Sequence, residues 1–391
     1  MSKIEALTGN KCAAKGAALC RPDLIAAYPI TPQSTVVEGL ADMVYGGQLT
    51  ANMVQVESEH SAMSVVQGGA AAGGRVFTAT SAQGLALMYE PYFRMSTLRL
   101  PMVMAIATRE MTSPESIWSG QQDAMSVRDA GWIQMFCETN QEILDMIIQG
   151  YMITEDKRVQ IPVNVCYDGF YSSHLVERVE VPEQTDVDAF LPSFSGCAKL
   201  DPKMPQALDP LTPGELMLRY RRDHLEAMTA ALDVIDEVDE KFAASFGRSY
   251  GGTIEEYRMD DAEVVIVTVG GMSGTGKDAV DIARDRGIRA GLLKLRFTRP
   301  FPAKRVARAL AGKKAFSVID RSVCFGWETG PMYVETCAAL ADADDRFCHF
   351  STVGGLGGAD ISLAHMTSVI DELERLKTEP GRKSTNWLMA D

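Results

Sequence analysis

No run of about 18 apolar residues, the length of a membrane-spanning helix, occurs anywhere in this 391-residue sequence, so no such helix is expected. The polar opening MSKIEALTGNK has no apolar core of the kind a signal peptide needs, which makes a cytoplasmic location the expectation. Lysine and arginine never cluster beyond pairs such as Arg221 and Arg222, and the net charge is −14. A protein that grips nucleic acid through its phosphates needs a basic stripe, so that class is excluded. The eight cysteines (Cys12, Cys20, Cys137, Cys166, Cys197, Cys324, Cys337, Cys348) form no CxxC pair, and only Cys348 adjoins a histidine. Free, buried thiols are therefore expected rather than disulfides or a metal centre, and any iron–sulfur cluster must find its ligands on another chain. Low-complexity tracts are missing too. With 46% hydrophobic and 23% charged residues, the composition is that of a folded protein long enough for more than one core.

What is present is alternation. Short apolar runs near 24–28, 53–57, 75–80, 101–107 and 161–166 read as strands, separated by helical patterns near 9–20, 34–45, 59–72, 84–97, 121–130 and 140–155. Such alternation implies an α/β, doubly wound parallel-sheet domain covering residues 1–180. Residues 181–258 begin as a proline-containing stretch, read as a linker or an arm that wraps a neighbour, and continue from 214 as a long helix ending in GRSYGG. A smaller α/β unit follows over 259–378, with EVVIVTVGG, AGLLKLRFTRPFP, KKAFSVIDR and FCHFSTVGG as strands and Gly287 closing a helix. Residues 379–391 read as a loosely ordered tail.

Two glycine-rich segments invite a nucleotide reading that their details oppose. GGMSGTGK (270–277) has phosphate-loop spacing, but Asp278 stands where a magnesium-binding hydroxyl is required, so a strand-to-helix turn is expected. VGGLGGAD (353–360) lacks a following βαβ unit and reads as turn glycines, whose N–H groups remain able to meet an anion.

Three other segments point to chemistry. In AAYPITPQST (26–35), Pro29 and Pro32 bracket Ile30 and Thr31 at the end of a strand and force a rigid exit. In ESEHSAMSVVQGGAAAG (57–73), Ser58 can cap a small-residue helix that has Glu59 in its first turn. Glu59 itself reads either as part of that cap or as a site acid. In MAIATREMT (104–112), Arg109 ends an apolar strand, where open α/β sheets bind their ligands, and its fork suits a carboxylate; the other reading is a surface ion pair. Hydroxyl, acid and guanidinium are thus expected along one edge of one sheet.

YPITP, ESEHSAMSVVQGGAAAG, ATSAQGLALM (79–88), GWIQMFCETNQEILD (131–145) and DGFYSSH (168–174), in this order, resemble the alpha subunit of the 2-oxoacid:acceptor (pyruvate:ferredoxin) oxidoreductases, and GTGKDAVD and RPFP extend the resemblance into the second unit. It implies a thiamine-diphosphate, pyrimidine-type domain followed by a transketolase C-terminal-like domain. It further implies a cofactor shared with a beta subunit, which carries the Mg2+ and pyrophosphate ligands, and [4Fe-4S] clusters on a ferredoxin-like delta subunit. A gamma subunit, coenzyme A as co-substrate and a flavoprotein NAD-linked subunit complete the implied assembly. The resemblance assigns Glu59 to the aminopyrimidine, Arg109 to the carboxylate of the 2-oxo acid and Thr31 to a substrate oxygen, with Pro29, Ser81 and Gln83 around the cofactor. No metal ligand is expected in this chain.

Where pyruvate-oxidising members commonly show Gly-Asp-His-Gln-Asp, this chain has Ser119-Gly120-Gln121-Gln122-Asp123. Together with Trp118, the residues Gln121, Gln122 and Asp123 are expected to line a roomier, less polar substrate pocket. YEPYFRMSTLRLP and IWSGQQDAM are similar to the phenylglyoxylate-oxidising branch, which favours an aryl 2-oxo acid over pyruvate or a branched-chain 2-oxo acid. A non-oxidative thiamine enzyme would need a GDG segment within its own complex, which this chain does not supply, and a non-catalytic structural subunit is the reading of another class.

Overall fold

The computed structural model describes residues 2–194, 196, 199–343 and 347–389. Cys197 and residues 390 and 391 of the expected tail lie outside them. The strands, in chain order, are β1 (Lys3–Thr8), β2 (Leu24–Ala27), β3 (Asn52–Gln55), β4 (Val76–Thr80), β5 (Val103–Thr108), β6 (Ile133–Phe136), β7 (Val163–Asp168) and β8 (Val176–Val181). They continue with β9 (Ile254–Tyr257), β10 (Val264–Thr268), β11 (Ala290–Leu295), β12 (Phe297–Arg299), β13 (Ala315–Asp320), β14 (Cys348–Val353), β15 (Gly381–Arg382) and β16 (Asn386–Trp387).

Among the described residues these strands build two seven-stranded sheets and one ribbon. The first sheet runs β12-β6-β7-β5-β4-β2-β3, parallel except for β12. The second runs β15-β14-β13-β10-β11-β9, with β16 also on β14 and β9 antiparallel to β11. β5 and β7 are buried at every residue, which is why VMAIAT and VNVCYD read as unbroken apolar runs rather than as alternation: helices cover both faces of a parallel sheet. Thr8, Ser58 and Thr139 start their helices by accepting an amide hydrogen bond through the side chain.

The α/β class agrees with the sequence reading, and the elements depart from it in several places. β12 leaves the second unit to pair antiparallel with β6, so the first sheet is completed by a strand from residues 297–299. The expected linker contains a helix, Gln184–Phe190, whose Phe190 meets Phe242 and Phe246 of the long helix Gly214–Phe246 with ring centroids 5.4 and 5.5 Å apart. From Ala227 onward that helix buries Ala231, Val234, Ile235, Val238 and Phe242 in the core of the first unit; the turns before His224 are exposed. Gly247 ends it in a left-handed conformation (φ 71°), and Asp239 folds the GRSYGG segment back by accepting from Ser249 Oγ, Tyr250 N and Gly251 N. The tail is not loose over its described residues, since β15 and β16 both pair with β14. No helix among the described residues is long and apolar enough to cross a membrane.

The two units are joined by a seam of paired charges. Glu142, on the helix Asn140–Glu155 of the first unit, meets Lys294 Nζ at 2.8 Å and also Arg296, both at the end of β11. Lys294 reaches Glu138 at 2.9 Å, and Lys277 joins Glu138 at 3.0 Å to Glu255 at 2.7 Å. Burial alone would raise the Glu142 carboxyl, but Lys294 and Arg296 hold it down at about 2. A cleft of about 580 Å³ runs beside these groups, whose charges answer one another. The glycine loops dock here as well. Gly271 N donates to Asp168 Oδ2 (3.0 Å) and Lys277 is paired as above, so the phosphate-loop spacing is taken up by this chain's own carboxylates. In the second loop Gly357 N donates to Glu110 Oε1 (3.3 Å) and Gly358 N to the Ser119 carbonyl (2.6 Å).

Candidate functional site

Four adjacent strands, β5, β4, β2 and β3, end along one edge of the first sheet, and the sequence singled out a residue just beyond each. Arg109 follows β5, Ser81 and Gln83 follow β4, Pro29 and Thr31 follow β2, and Glu59 opens the helix after β3. The connection after β2 leads to β3 on one side, whereas the connection after β4 leads to β5 on the other. The edge therefore contains the switch point at which open α/β sheets bind ligands.

Ser58, not Glu59, caps the helix Glu59–Ala71: its Oγ accepts from Ser61 N at 3.2 Å. Glu59 is released from capping and is only 6% exposed, yet no described residue gives its carboxylate a hydrogen bond or an ion pair. Beside it lies Thr80 Oγ1, buried and also without a partner. A Cβ at Gly84 would stand 2.9 Å from Glu59 Oε1 and 2.2 Å from Thr80 Oγ1, so only glycine lets the turn after β4 pass so close to the acid. The Thr80 hydroxyl is closed off from solvent, whereas the unpaired Glu59 carboxylate keeps an opening through which a donor from outside the chain can reach it.

Arg109 is 4% exposed. Its Nη1 donates to the Thr31 carbonyl at 2.5 Å and its Nη2 to Gln83 Oε1 at 2.5 Å, which orients the fork. Glu115 Oε1 is 3.5 Å from Nη2, and Nε is buried without a partner. Burial lowers the guanidinium pKa, with Glu115 and Asp123 only partly opposing it. The charge is under-compensated where it sits, the state in which a guanidinium binds a carboxylate well.

The two prolines aim more than a hydroxyl. The Thr31–Pro32 peptide is cis, Pro32 is buried, and Asn10 Nδ2 donates to its carbonyl at 2.7 Å while Tyr167 Oη donates to Asn10 Oδ1 at 2.8 Å. Gln33 Nε2 donates to the Tyr28 and Ala79 carbonyls, both at 3.0 Å, and ties the turn to β4. Pro29 and Thr31 are left exposed at the tip, and it is the carbonyl of Thr31 that meets Arg109. Asn10, Gln33, Thr80 and Gly84 were not found by sequence reasoning; the signal available was adjacency, since Gln33 follows Pro32 and Gly84 follows Gln83.

Ser81 is fully buried and its Oγ donates to the Ala107 carbonyl at 2.7 Å, so it joins β4 to β5 rather than facing the edge. The expected pocket residues are not brought together in an open pocket. Asp123, fully buried, accepts from Ala82 N (2.9 Å), Arg109 N (3.0 Å) and Ala124 N (2.7 Å), and burial pushes its carboxyl up to about 7 against these three donors. It is a clamp on the loops after β4 and β5. Gln121 Nε2 donates to the Val269 carbonyl (3.3 Å), and Gln122 exchanges two hydrogen bonds with the backbone of Val323, so both belong to the seam. Trp118 is half exposed, with its ring centroid 4.6 Å from that of Phe170, which in turn stacks on His174 at 4.9 Å.

Comparison with known proteins identifies the family. Residues 15–240 match the family described as pyruvate flavodoxin/ferredoxin oxidoreductase, thiamine diphosphate-binding, and residues 262–366 match pyruvate:ferredoxin oxidoreductase core domain II. The chain is 48% identical over 382 residues, 96% of its length and 92% of the relative's, to the NADH-dependent phenylglyoxylate dehydrogenase subunit alpha of Aromatoleum evansii. It is 41% identical to the pyruvate synthase subunit PorA of Methanothermobacter thermautotrophicus, covering 98% of both chains. Among solved structures, 2-oxoglutarate:ferredoxin oxidoreductase from Magnetococcus marinus superposes with a TM-score of 0.74 at 19% identity, over 94% of this chain and 65% of that longer one. A split-gene transketolase superposes with a TM-score of 0.57 at 12% identity, over 95% of this chain and all of the other. Likeness at such low identity speaks for the fold alone, but the two family matches and the relatives above 40% speak for ancestry: the chain belongs to the 2-oxoacid:acceptor (pyruvate:ferredoxin) oxidoreductase family, as an alpha subunit.

Proposed function

We propose that this chain presents Glu59 to the aminopyrimidine of thiamine diphosphate and Arg109 to the carboxylate of a 2-oxo acid, within an enzyme that decarboxylates the acid oxidatively and passes the acyl group to coenzyme A. The observation that carries the reading is the unpartnered carboxylate of Glu59, a residue only 6% exposed, beside the buried, unpartnered Thr80 hydroxyl and Gly84. When bound, thiamine diphosphate supplies a carbon nucleophile for the 2-oxo carbon and an electron sink for the departing CO2. Glu59 holds a ring nitrogen of the pyrimidine through a hydrogen bond and can take up and return a proton there. Arg109, its fork fixed by Gln83 and the Thr31 carbonyl, fastens the substrate's carboxylate, while the Thr31 hydroxyl and Pro29 border the same space at the tip of the turn.

The edge is rimmed by exposed Tyr28, Leu87, Tyr89 and Trp118, which suits a covering partner. In this reading a beta subunit covers it and brings the Mg2+ and pyrophosphate ligands. A gamma subunit and a ferredoxin-like delta subunit with [4Fe-4S] clusters complete the complex, and a flavoprotein subunit serves if the acceptor is NAD. The higher identity to the phenylglyoxylate subunit favours an aryl 2-oxo acid; the pyruvate synthase relatives keep pyruvate or a branched-chain 2-oxo acid as the second reading.

The test is Glu59→Gln in the complex assembled with its partner subunits. Turnover with a panel of 2-oxo acids, coenzyme A and a dye acceptor is expected to fall at least about hundredfold. Calorimetric affinity for thiamine diphosphate is expected to fall with it. Near-normal values of both would leave this chain a structural subunit.

A further inference from the structure

The carboxylate position at Arg109 is not free of anions, because this chain places one of its own beside it. Glu115 Oε1 lies 3.5 Å from Arg109 Nη2, too far for a strong hydrogen bond and close enough for charge to matter. What holds Glu115 is neutral: Gln83 Nε2 reaches its two oxygens at 3.1 and 3.3 Å, and Thr112 Oγ1 donates at 2.9 Å. Gln83 therefore bridges the two charges, since its Oε1 accepts from Arg109 while its Nε2 donates to Glu115. Arg109 is buried and keeps an unpartnered Nε, whereas Glu115 is 60% exposed. The cation belongs to the site's interior and the anion to its mouth.

The charge count at this mouth is narrow. Among the described residues, no second cation hydrogen-bonds or pairs with Arg109, Gln83, Thr112 or Glu115. On the far side of Gln83, Gly84 runs against the carboxylate of Glu59. A 2-oxo acid with a neutral side chain adds one negative charge, and Arg109 meets it. One with an acidic side chain adds another, a few bonds away, near the carboxylates of Glu115 and Glu59. Rejection by an unpaired like charge is a standard route to selectivity and requires no new attractive contact for the preferred substrate.

Resting on the reading of Arg109 as the carboxylate clamp, we propose that Glu115 is a specificity-determining residue that admits monocarboxylic 2-oxo acids and turns away dicarboxylic ones. Neutralising it is expected to relax the discrimination without providing a partner for the second carboxylate.

The experiment compares the wild-type complex with Glu115→Gln and, separately, Arg109→Gln, each assembled with its partner subunits. The readout is the ratio of kcat/KM for 2-oxoglutarate to kcat/KM for the better of pyruvate and phenylglyoxylate. A ratio cancels the active fraction, so partial assembly does not obscure it. Glu115→Gln is expected to raise the ratio about five- to tenfold. If Arg109→Gln raises KM for every 2-oxo acid while Glu115→Gln leaves the ratio where it was, the clamp stands and the role given to Glu115 is overturned. If Arg109→Gln leaves KM unchanged for all of them, the clamp itself fails, and the inference fails with it.

Discussion

The seam between the two units and the strand-end edge both bury charge, and they treat it in opposite ways. At the seam, Glu142 is met by Lys294 and Arg296, and the neighbouring Glu138, Glu255 and Lys277 close the set. At the edge, Glu59 is only 6% exposed and has no partner, and Arg109 keeps its buried Nε without one. A paired set fixes how two bodies sit on one another, and nothing further is asked of it. Groups that the fold leaves without partners are retained where a ligand supplies what the chain withholds. Depth of burial does not separate the two regions. Pairing does.

The comparison breaks most visibly in a pair of isosteric substitutions. Glu142→Gln takes from Lys294 and Arg296 their most deeply buried anion and leaves them Glu138 and Glu255, and the expected loss is about 3 kcal/mol, read as a lower urea midpoint. Glu59→Gln removes no contact within the chain, so its urea midpoint is expected to stay within about 0.5 kcal/mol of the wild type although the assembled complex stops turning over. A large midpoint shift for Glu59→Gln would mean that its carboxylate is bonded in solution and would erase the distinction. The seam also predicts an acid limb. Glu142 is held at about 2, below the carboxyl's ordinary value near 4.5, so its contribution is present in full above about pH 4.5 and disappears as pH falls toward 2. Unfolding followed from pH 6 to 2 is expected to show a shallower loss in Glu142→Gln than in the wild type.

A smaller effect tests whether the space around Glu59 is as confined as the glycine implies. Gly84→Ala puts a methyl against Thr80 Oγ1 and Glu59 Oε1, and overpacking of that kind costs about 1–3 kcal/mol. Displacement of the acid is expected to reduce kcat/KM about tenfold. Adding Thr80→Ala removes the nearer obstacle, so the double variant is expected to recover part of the loss. Without recovery, the turn after β4 would be acting through its backbone path and not through contact with Thr80.

The sequence revealed the strands that are buried on both faces and the edge at which they end, because continuous apolar runs and prolines leave marks that a reader can follow along the chain. The place of Arg109 was legible for the same reason, since it stands directly after β5, whereas Glu59 was marked by the cap that Ser58 offers beyond the short, partly exposed β3. β1, β6, β8 and β9 left little trace. β6 and β9 are four residues long, and the ribbon of β1 with β8 leaves most of its residues at least partly exposed. β12 was hidden differently, since RFTRP looks like the end of the strand before it, and only the fold shows that Phe297 and Arg299 pair with β6. The pocket expected from Gln121, Gln122 and Asp123 failed because polar side chains close to a site in sequence look alike whether they face a ligand or a backbone amide. What distinguishes them is the partner, which lies as much as 201 residues away in the case of Gln122 and Val323.

Gln122 gives the last and smallest test, and it sharpens where the seam stops and the site begins. Its side chain both donates to and accepts from the backbone of Val323, at 3.2 and 2.9 Å, so it copies one rung of a strand ladder between the two units. Gln122→Ala leaves a partly buried N–H and carbonyl of Val323 to find water, which costs about 1 kcal/mol for a neutral pair near the surface. The urea midpoint is expected to fall by that amount, and the order of preference among 2-oxo acids is expected to stay as it was, because the side chain faces the second unit and not Arg109. A changed preference with an unchanged midpoint would return Gln122 to the substrate's surroundings. The boundary between the two regions would then have to be drawn on the other side of the loop that holds residues 119–123.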